Sequence, residues 1–323
     1  MRIELRNLLL TILAVGALTQ PCFAAKHHGG GGGGGGGGDD AAAAHRDKGI
    51  ELAKQQQYDA AIAEFTKAVE AGPKDPRNYT NRGTAYDAAQ KYTEAIADFA
   101  KAIELAPKDE VGYIGKAQAE LDYRDYNAAL EDANKIIELK PDEVNGYKFR
   151  GFAYIGLSQW DKAVADFTSA IQKKPDDMQD YDKRALAYRG LKQWDPAIED
   201  YAAILNSNPP DPLKAETLIR RGYTYTAKED YEKAIADYDE ALKLKGGPDK
   251  DYETVQRLQY ARAQLAAKNA PPATPTPTPT PEAPGLITPL RVGILLAVIL
   301  IVAVVIKLVT RGKADETSSM RIR

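Results

Sequence analysis

Six basic residues, Lys48, Arg82, Lys116, Arg150, Arg184 and Arg221, each stand directly before a small residue: Gly49, Gly83, Ala117, Gly151, Ala185 and Gly222. A regular cationic column of this kind is chemistry suited to phosphate or nucleic acid. An acidic column, Glu64, Asp98, Asp132, Asp166, Asp200 and Asp237, recurs in step with it, where an antiparallel helical hairpin would bring the two together. Ion pairing within each hairpin is therefore the expectation. The net charge of −3 agrees, since nucleic-acid binding calls for an unbalanced basic surface.

The inventory for catalysis is thin. The three histidines are His27, His28 and His45, and the first two sit beside a glycine run with no third ligand fixed nearby. Carboxylates are spread among basic neighbours, as on solvated helix faces. Gly29 to Gly38 is not a phosphate loop, because Asp39, Asp40 and four alanines follow it in place of Lys-Ser/Thr. The single cysteine, Cys22, offers neither a disulfide nor a metal-ligand pair. No catalytic residue, metal or cofactor is expected, and the chain reads as a non-enzyme.

The elements that position these columns follow from a period. Tyr58, Tyr92, Tyr126, Trp160, Trp194 and Tyr231 stand 34 residues apart, with a final step of 37, each three residues ahead of an alanine. Such spacing marks a solenoid whose units cannot fold singly and bury a core by stacking. Within one unit, Tyr79, Gly83 and Tyr86 share a face of a first helix, and Ala95, Phe99 and Ala102 a face of a second. Units are expected at about 42–75, 76–109, 110–143, 144–177, 178–211 and 215–248, within a repeat region 41–248. Three extra residues around Pro210, Asp211 and Pro212 are expected to lengthen the joint before the sixth. Residues 249–268 carry one apolar stripe, Tyr252, Val255, Leu258, Ala261 and Leu265, and read as a capping helix.

The flanks read as export and anchoring signals. Residues 1–25 have basic residues, the apolar run Leu8 to Leu18 and a small-residue cleavage site, so they read as a signal peptide. Residues 26–40 form a Gly-rich flexible leader. Residues 269–285 are a Pro/Thr-rich stalk inclined to extended polyproline II. Residues 290–309 are expected to cross a membrane: their wholly apolar centre, 292–306, makes about 22 Å of helix, and Arg291 and Lys307 can snorkel outward. The basic tail, 310–323, is expected in the cytoplasm and the repeats on the opposite side, in the periplasm of a bacterial inner membrane.

The pattern Tyr79, Gly83, Tyr86, Tyr92, Ala95, Phe99, Ala102, Pro107 resembles the tetratricopeptide repeat family. The resemblance implies an all-α, right-handed superhelical solenoid of six helical hairpins plus the capping helix, followed by a separate transmembrane helix. It also implies a concave groove, lined by the first helices, that binds proteins or peptides. Local departures are Ala117 and Ala185 for glycine, Ala133 for the second-helix aromatic and Glu120 for tyrosine, so the third hairpin is expected to be the loosest. The family's clamp for a C-terminal carboxylate is not made. Arg46 and Asn81 fit it, but Ile50, Val111 and Gly115 do not; on the last three repeats Lys148 and Arg220 fit, but Phe152, Lys183 and Glu216 do not. What the resemblance leaves is a looser basic, aromatic trough for an acidic or amphipathic segment, from Arg46, Asn81, Lys148, Phe149, Phe152, Lys183, Arg220 and Tyr223. The expected role is a membrane-anchored scaffold. Its rivals are a self-associating homo-oligomer that builds an envelope assembly, and an accessory subunit of a membrane enzyme.

Overall fold

The computed structural model describes residues 38–270, 296 and 299–302. The chain divides into two units, Met1–Lys268 and Asn269–Arg323. The expected signal peptide, nearly all of the leader and of the stalk, most of 290–309 and the whole tail lie outside the described residues. In the second unit, 296 and 299–302 are helical with exposed side chains. Among the described residues no helix is long and apolar enough to cross a membrane.

The first unit is built of α-helices, with no strand among its described residues. Six hairpins follow in order: α1 (Gly38–Lys54) with α2 (Tyr58–Ala71), α3 (Pro76–Ala88) with α4 (Tyr92–Leu105), α5 (Glu110–Tyr123) with α6 (Tyr126–Leu139), α7 (Asn145–Gly156) with α8 (Trp160–Lys173), α9 (Met178–Gly190) with α10 (Trp194–Asn206), and α11 (Asp211–Ala227) with α12 (Tyr231–Leu244). A short 3₁₀ turn, Pro248–Lys250, leads into α13 (Tyr252–Asn269). Leu258 and Ala261 of α13 are buried with Ala234, Tyr238 and Leu242 of α12, so this helix closes the open end of the sixth hairpin.

Two boundaries depart from the sequence reading. Helix α1 begins at Gly38, inside the expected leader, because Asp39 and Asp40 suit a helix N-terminus and the alanines after them are the best helix formers. The three extra residues do not lengthen a loop. They extend α11, which starts at Asp211 and carries Pro212 in its first turn, where a missing N–H costs nothing.

Each hairpin turns through a non-glycine residue with positive φ: Gln56, Gln90, Arg124, Ser158, Lys192 and Glu229. Aspartates cap several helices; Asp75, Asp109 and Asp177 accept from the backbone N–H two residues on. Tyr79, Tyr113 and Tyr147 each donate to a proline carbonyl in the loop before them, Pro73, Pro107 and Pro141, at 3.1–3.3 Å.

Packing follows size complementarity. A Cβ on Gly49 would sit 2.5 Å from the Phe65 ring, and one on Gly83 3.1 Å from Phe99, so the small residue exists to admit the second-helix aromatic. In the third hairpin both members are small, Ala117 and Ala133. The space is taken by Phe149 and Phe152 of α7, which lie in one cluster with them. The hairpin expected to be loosest is thus filled from its neighbour.

The basic and acidic columns meet within every hairpin. Arg82 grips Asp98 through Nε and Nη2 at 2.7 and 2.8 Å, and Arg150–Asp166, Arg184–Asp200 and Arg221–Asp237 repeat the two-pronged geometry. Lys48–Glu64 and Lys116–Asp132 are the single-pronged versions. The acids are buried, and their hydrogen bonds hold the Arg82 and Arg150 guanidiniums above their ordinary pKa. The column is spent inside the fold.

Candidate functional site

Helices α1, α3, α5 and α7 each approach the next first helix as well as their chain neighbours, and the second helices make no comparable approach. First helices therefore form the tighter layer, and the surface they share is the inner face of the array. Between α9 and α11, where α11 carries its extra turn, this approach is weaker.

Most of the expected trough residues are engaged across these seams. Arg46 of α1 donates to Asp75 Oδ2 at 3.0 Å and Asn78 Oδ1 at 2.8 Å, at the start of the next hairpin. Lys148 of α7 lies 2.8 Å from Asp177 and 3.1 Å from Asp180, the same junction three repeats on. Arg220 of α11 reaches back to Asp182 of α9 and donates to Glu216 at 3.1 Å, and Lys183 lies 3.4 Å from Asp182. Asn81 is buried. Phe149 and Phe152, 8% and 9% exposed, are core residues: the Phe152 ring meets Phe167 edge-on with centroids 5.3 Å apart. The structure thus brings Lys183, Arg220 and Tyr223 together at one end of the array. It leaves Arg46, Asn81, Lys148, Phe149 and Phe152 as seam and core residues of other repeats.

Tyr223 keeps a partly open ring, and two residues outside the expected set flank it. The Arg189 guanidinium carbon stands 4.5 Å from the ring centroid, and that of Arg257 5.3 Å. The signal was present in the spacing, because Arg189 and Arg257 lie 34 residues on either side of Tyr223. One repeat period separates residues that stack across adjacent first helices, here α9, α11 and α13.

A second charged pair missed from sequence sits on α3 and α5. Burial raises the Asp87 pKa to about 7, with the charge of Asp122 adding to it, and burial likewise raises Asp122, which accepts from Gln118 at 2.7 Å. In the same hairpin as Asp122, burial beside Asp132 pushes Glu120 up to about 8, although Lys116 lies 3.0 Å away. Among the described residues no group of His, Cys, Asp and Glu could hold a metal ion.

Three models described as tetratricopeptide repeat match this chain, at residues 46–110, 181–210 and 215–247. Hsp70-Hsp90 organizing protein 2 of Arabidopsis thaliana is 44% identical over 41 residues, 13% of this chain and 7% of that protein. The chain thus spans under a tenth of the length of the curated relatives it matches. Among solved structures, a tetratricopeptide repeat protein from Parabacteroides merdae is similar over 68% of this chain and 84% of its own, with 19% identity and a TM-score of 0.52. The pilF protein of Pseudomonas aeruginosa is similar over 71% and 99%, with 14% identity and a TM-score of 0.56. At these identities the likeness is one of fold. The three matched segments are tetratricopeptide repeats, and the helical array as a whole shares the fold of the solved tetratricopeptide repeat structure.

Proposed function

We propose that this chain is a membrane-tethered scaffold that holds partner proteins, or peptide segments of them, along the inner face of its repeats. The observation that carries the reading is that inner layer: side chains from successive first helices converge on one surface, as at Arg189, Tyr223 and Arg257, which is how a repeat array reads an extended segment. The curated relatives are named as organizing proteins for Hsp70 and Hsp90, and a role in bringing other proteins together fits the array here. Anchoring is supported by the apolar run of 292–306, whose described members Leu296, Ile299, Leu300, Ile301 and Val302 are half or more exposed and want a nonaqueous surrounding. The array then lies outside the cytoplasm, on a bacterial inner membrane, with the tail inside.

The test is photo-crosslinking in intact cells from a residue analogue at Thr226, beside Tyr223 on α11, compared with one at the outer-layer position Glu240. Recovery of one dominant protein from the inner position alone supports the scaffold. Equal recovery from both, or none, removes it. Cysteine labelling of the array from the cytoplasmic side would overturn the orientation. A self-associating assembly is the second reading, favoured by Tyr252 and Tyr260 of α13, 75% and 55% exposed at the end of the array. A dimeric mass in mild detergent that falls to a monomer in Tyr252→Ser/Tyr260→Ser would select it.

A further inference from the structure

Most of the inner-face cations are matched by an acid on a neighbouring helix; Arg189 is not. It makes no ion pair with a carboxylate among the described residues, its Nε is shielded from solvent with no hydrogen-bond partner, and Nη1 reaches only the Tyr201 hydroxyl at 3.4 Å. A guanidinium carries five donors and is costly to leave with unused ones in a shielded place. It is held there by two observations that are independent of each other. Its guanidinium carbon stands over the Tyr223 ring, as that of Arg257 also does. And the second-helix aromatic column, Phe65, Phe99, Ala133 and Phe167 in the first four repeats, changes to Tyr201 and Tyr238 in the last two. Both tyrosines are fully buried, so their hydroxyls need polar partners. Tyr201 has Arg189, and Tyr238 meets Thr226 at 3.3 Å with Arg257 close by. The switch from Phe to Tyr thus coincides with the arrival of the arginines. Arg257 is partly committed, donating to Glu253 at 2.6 Å, and nearby Lys183 and Arg220 share Asp182.

We infer that Arg189 and Arg257, set about Tyr223 and positioned by the hydroxyls of Tyr201 and Tyr238, form a docking site for a carboxylate side chain of a partner protein's extended segment. The site rests on the scaffold reading and gives it a partner chemistry: an acidic residue, Asp or Glu, with apolar or aromatic neighbours to lie on Tyr223. Arg189 supplies the unused donors and Arg257 a second fork. Because the whole chain carries a net charge of −3, long-range attraction does not draw in acidic peptides, and binding must come from this local geometry.

The experiment measures anisotropy of a short labelled oligoglutamate peptide, amidated at its C-terminus, and of its glutamine counterpart, against the full chain in detergent. Glutamate is expected to bind about tenfold tighter or better, with the preference shrinking as salt rises. Arg189→Gln/Arg257→Gln should abolish the preference while far-ultraviolet circular dichroism at the assay temperature stays that of the folded array, Arg189→Lys should recover part of it, and Tyr201→Phe should weaken it severalfold. Equal binding of both peptides, binding of neither, or a preference that survives the double substitution overturns the site. The scaffold reading fails separately: if crosslinked partner capture in cells persists in Arg189→Gln/Arg257→Gln, the scaffold stands and only this site falls.

Discussion

The seams between repeats make a reciprocal exchange of size that can be transplanted. At the second seam Phe99 of α4 wedges against Gly115 of α5, where an added Cβ would fall within 2.6 Å of three ring atoms. At the third seam the corresponding pair is inverted, with Ala133 on α6 and Phe149 on α7. Phe99→Ala alone empties a fully buried ring site and should cost about 3 to 5 kcal/mol. Gly115→Phe alone has no room beside Phe99 and should be at least as damaging. Together they recreate the inverted pair at nearly constant volume, and should cost under about 1.5 kcal/mol. The coupling between the two substitutions is then larger than either residual cost, and a double-mutant cycle reads it directly. Urea unfolding followed by far-ultraviolet circular dichroism supplies the midpoints, compared among variants of the full chain because long arrays need not unfold in one step. A double variant no more stable than Phe99→Ala would show that the seams are not interchangeable, and the size argument would fail.

Three further outcomes follow from named contacts. Lys192, exposed and held at φ +60°, should gain about 0.5 to 1 kcal/mol on replacement by glycine, which adopts that backbone without a Cβ clash; an unchanged or lower melting temperature would deny the strain. Glu120 has a folded pKa of about 8, above its ordinary 4.5, so the folded state keeps a proton that the unfolded state releases, and stability falls as pH rises between those values. Glu120→Gln should therefore stabilise increasingly from about pH 5 to about pH 8 and leave acid stability unchanged; equal gains at both ends would refute the assignment. Arg150→Met leaves Asp166 buried and unpaired, at a cost of about 3 to 5 kcal/mol, whereas Arg150→Met/Asp166→Leu should return most of it; matching losses in thermal melts would contradict the pairing.

The repeat, its hairpins and the capping helix could be read from residue types because burial imposes a period on them, and the period survives substitution at single places such as Ala117. The intra-hairpin ion pairs were also legible, since partners 16 residues apart recur six times. The trough was not. Arg46–Asp75 and Lys148–Asp177 are both 29 residues apart, a spacing that crosses from one hairpin to the next and so depends on how repeats stack. Phe149 and Phe152 misled for a related reason. An aromatic on a first helix looks available for a ligand until Ala133, on a helix before it in the chain, is known to leave the space that it fills. Within-repeat geometry is local and shows in the pattern; between-repeat geometry depends on the volumes of residues that the pattern treats as separate.

This bears on how partner chemistry is to be inferred from such an array. Counting cations on the first helices suggests a broadly basic groove, and charge reversal at Lys148 would look like the natural probe. Yet Lys148 faces Asp180, which is wholly buried and whose pKa burial raises to about 6, so Lys148→Glu would set a new carboxylate against a buried one and disturb the seam before it reported on any ligand. A weakened capture in that variant could not separate a lost contact from a lost fold. The informative residues are those whose charge the fold does not use. By that criterion Arg189 is the inner-face cation to change first. Its removal breaks no ion pair and takes from the fold one long hydrogen bond, to Tyr201 at 3.4 Å, so binding lost while circular dichroism shows the array still folded reports on the groove.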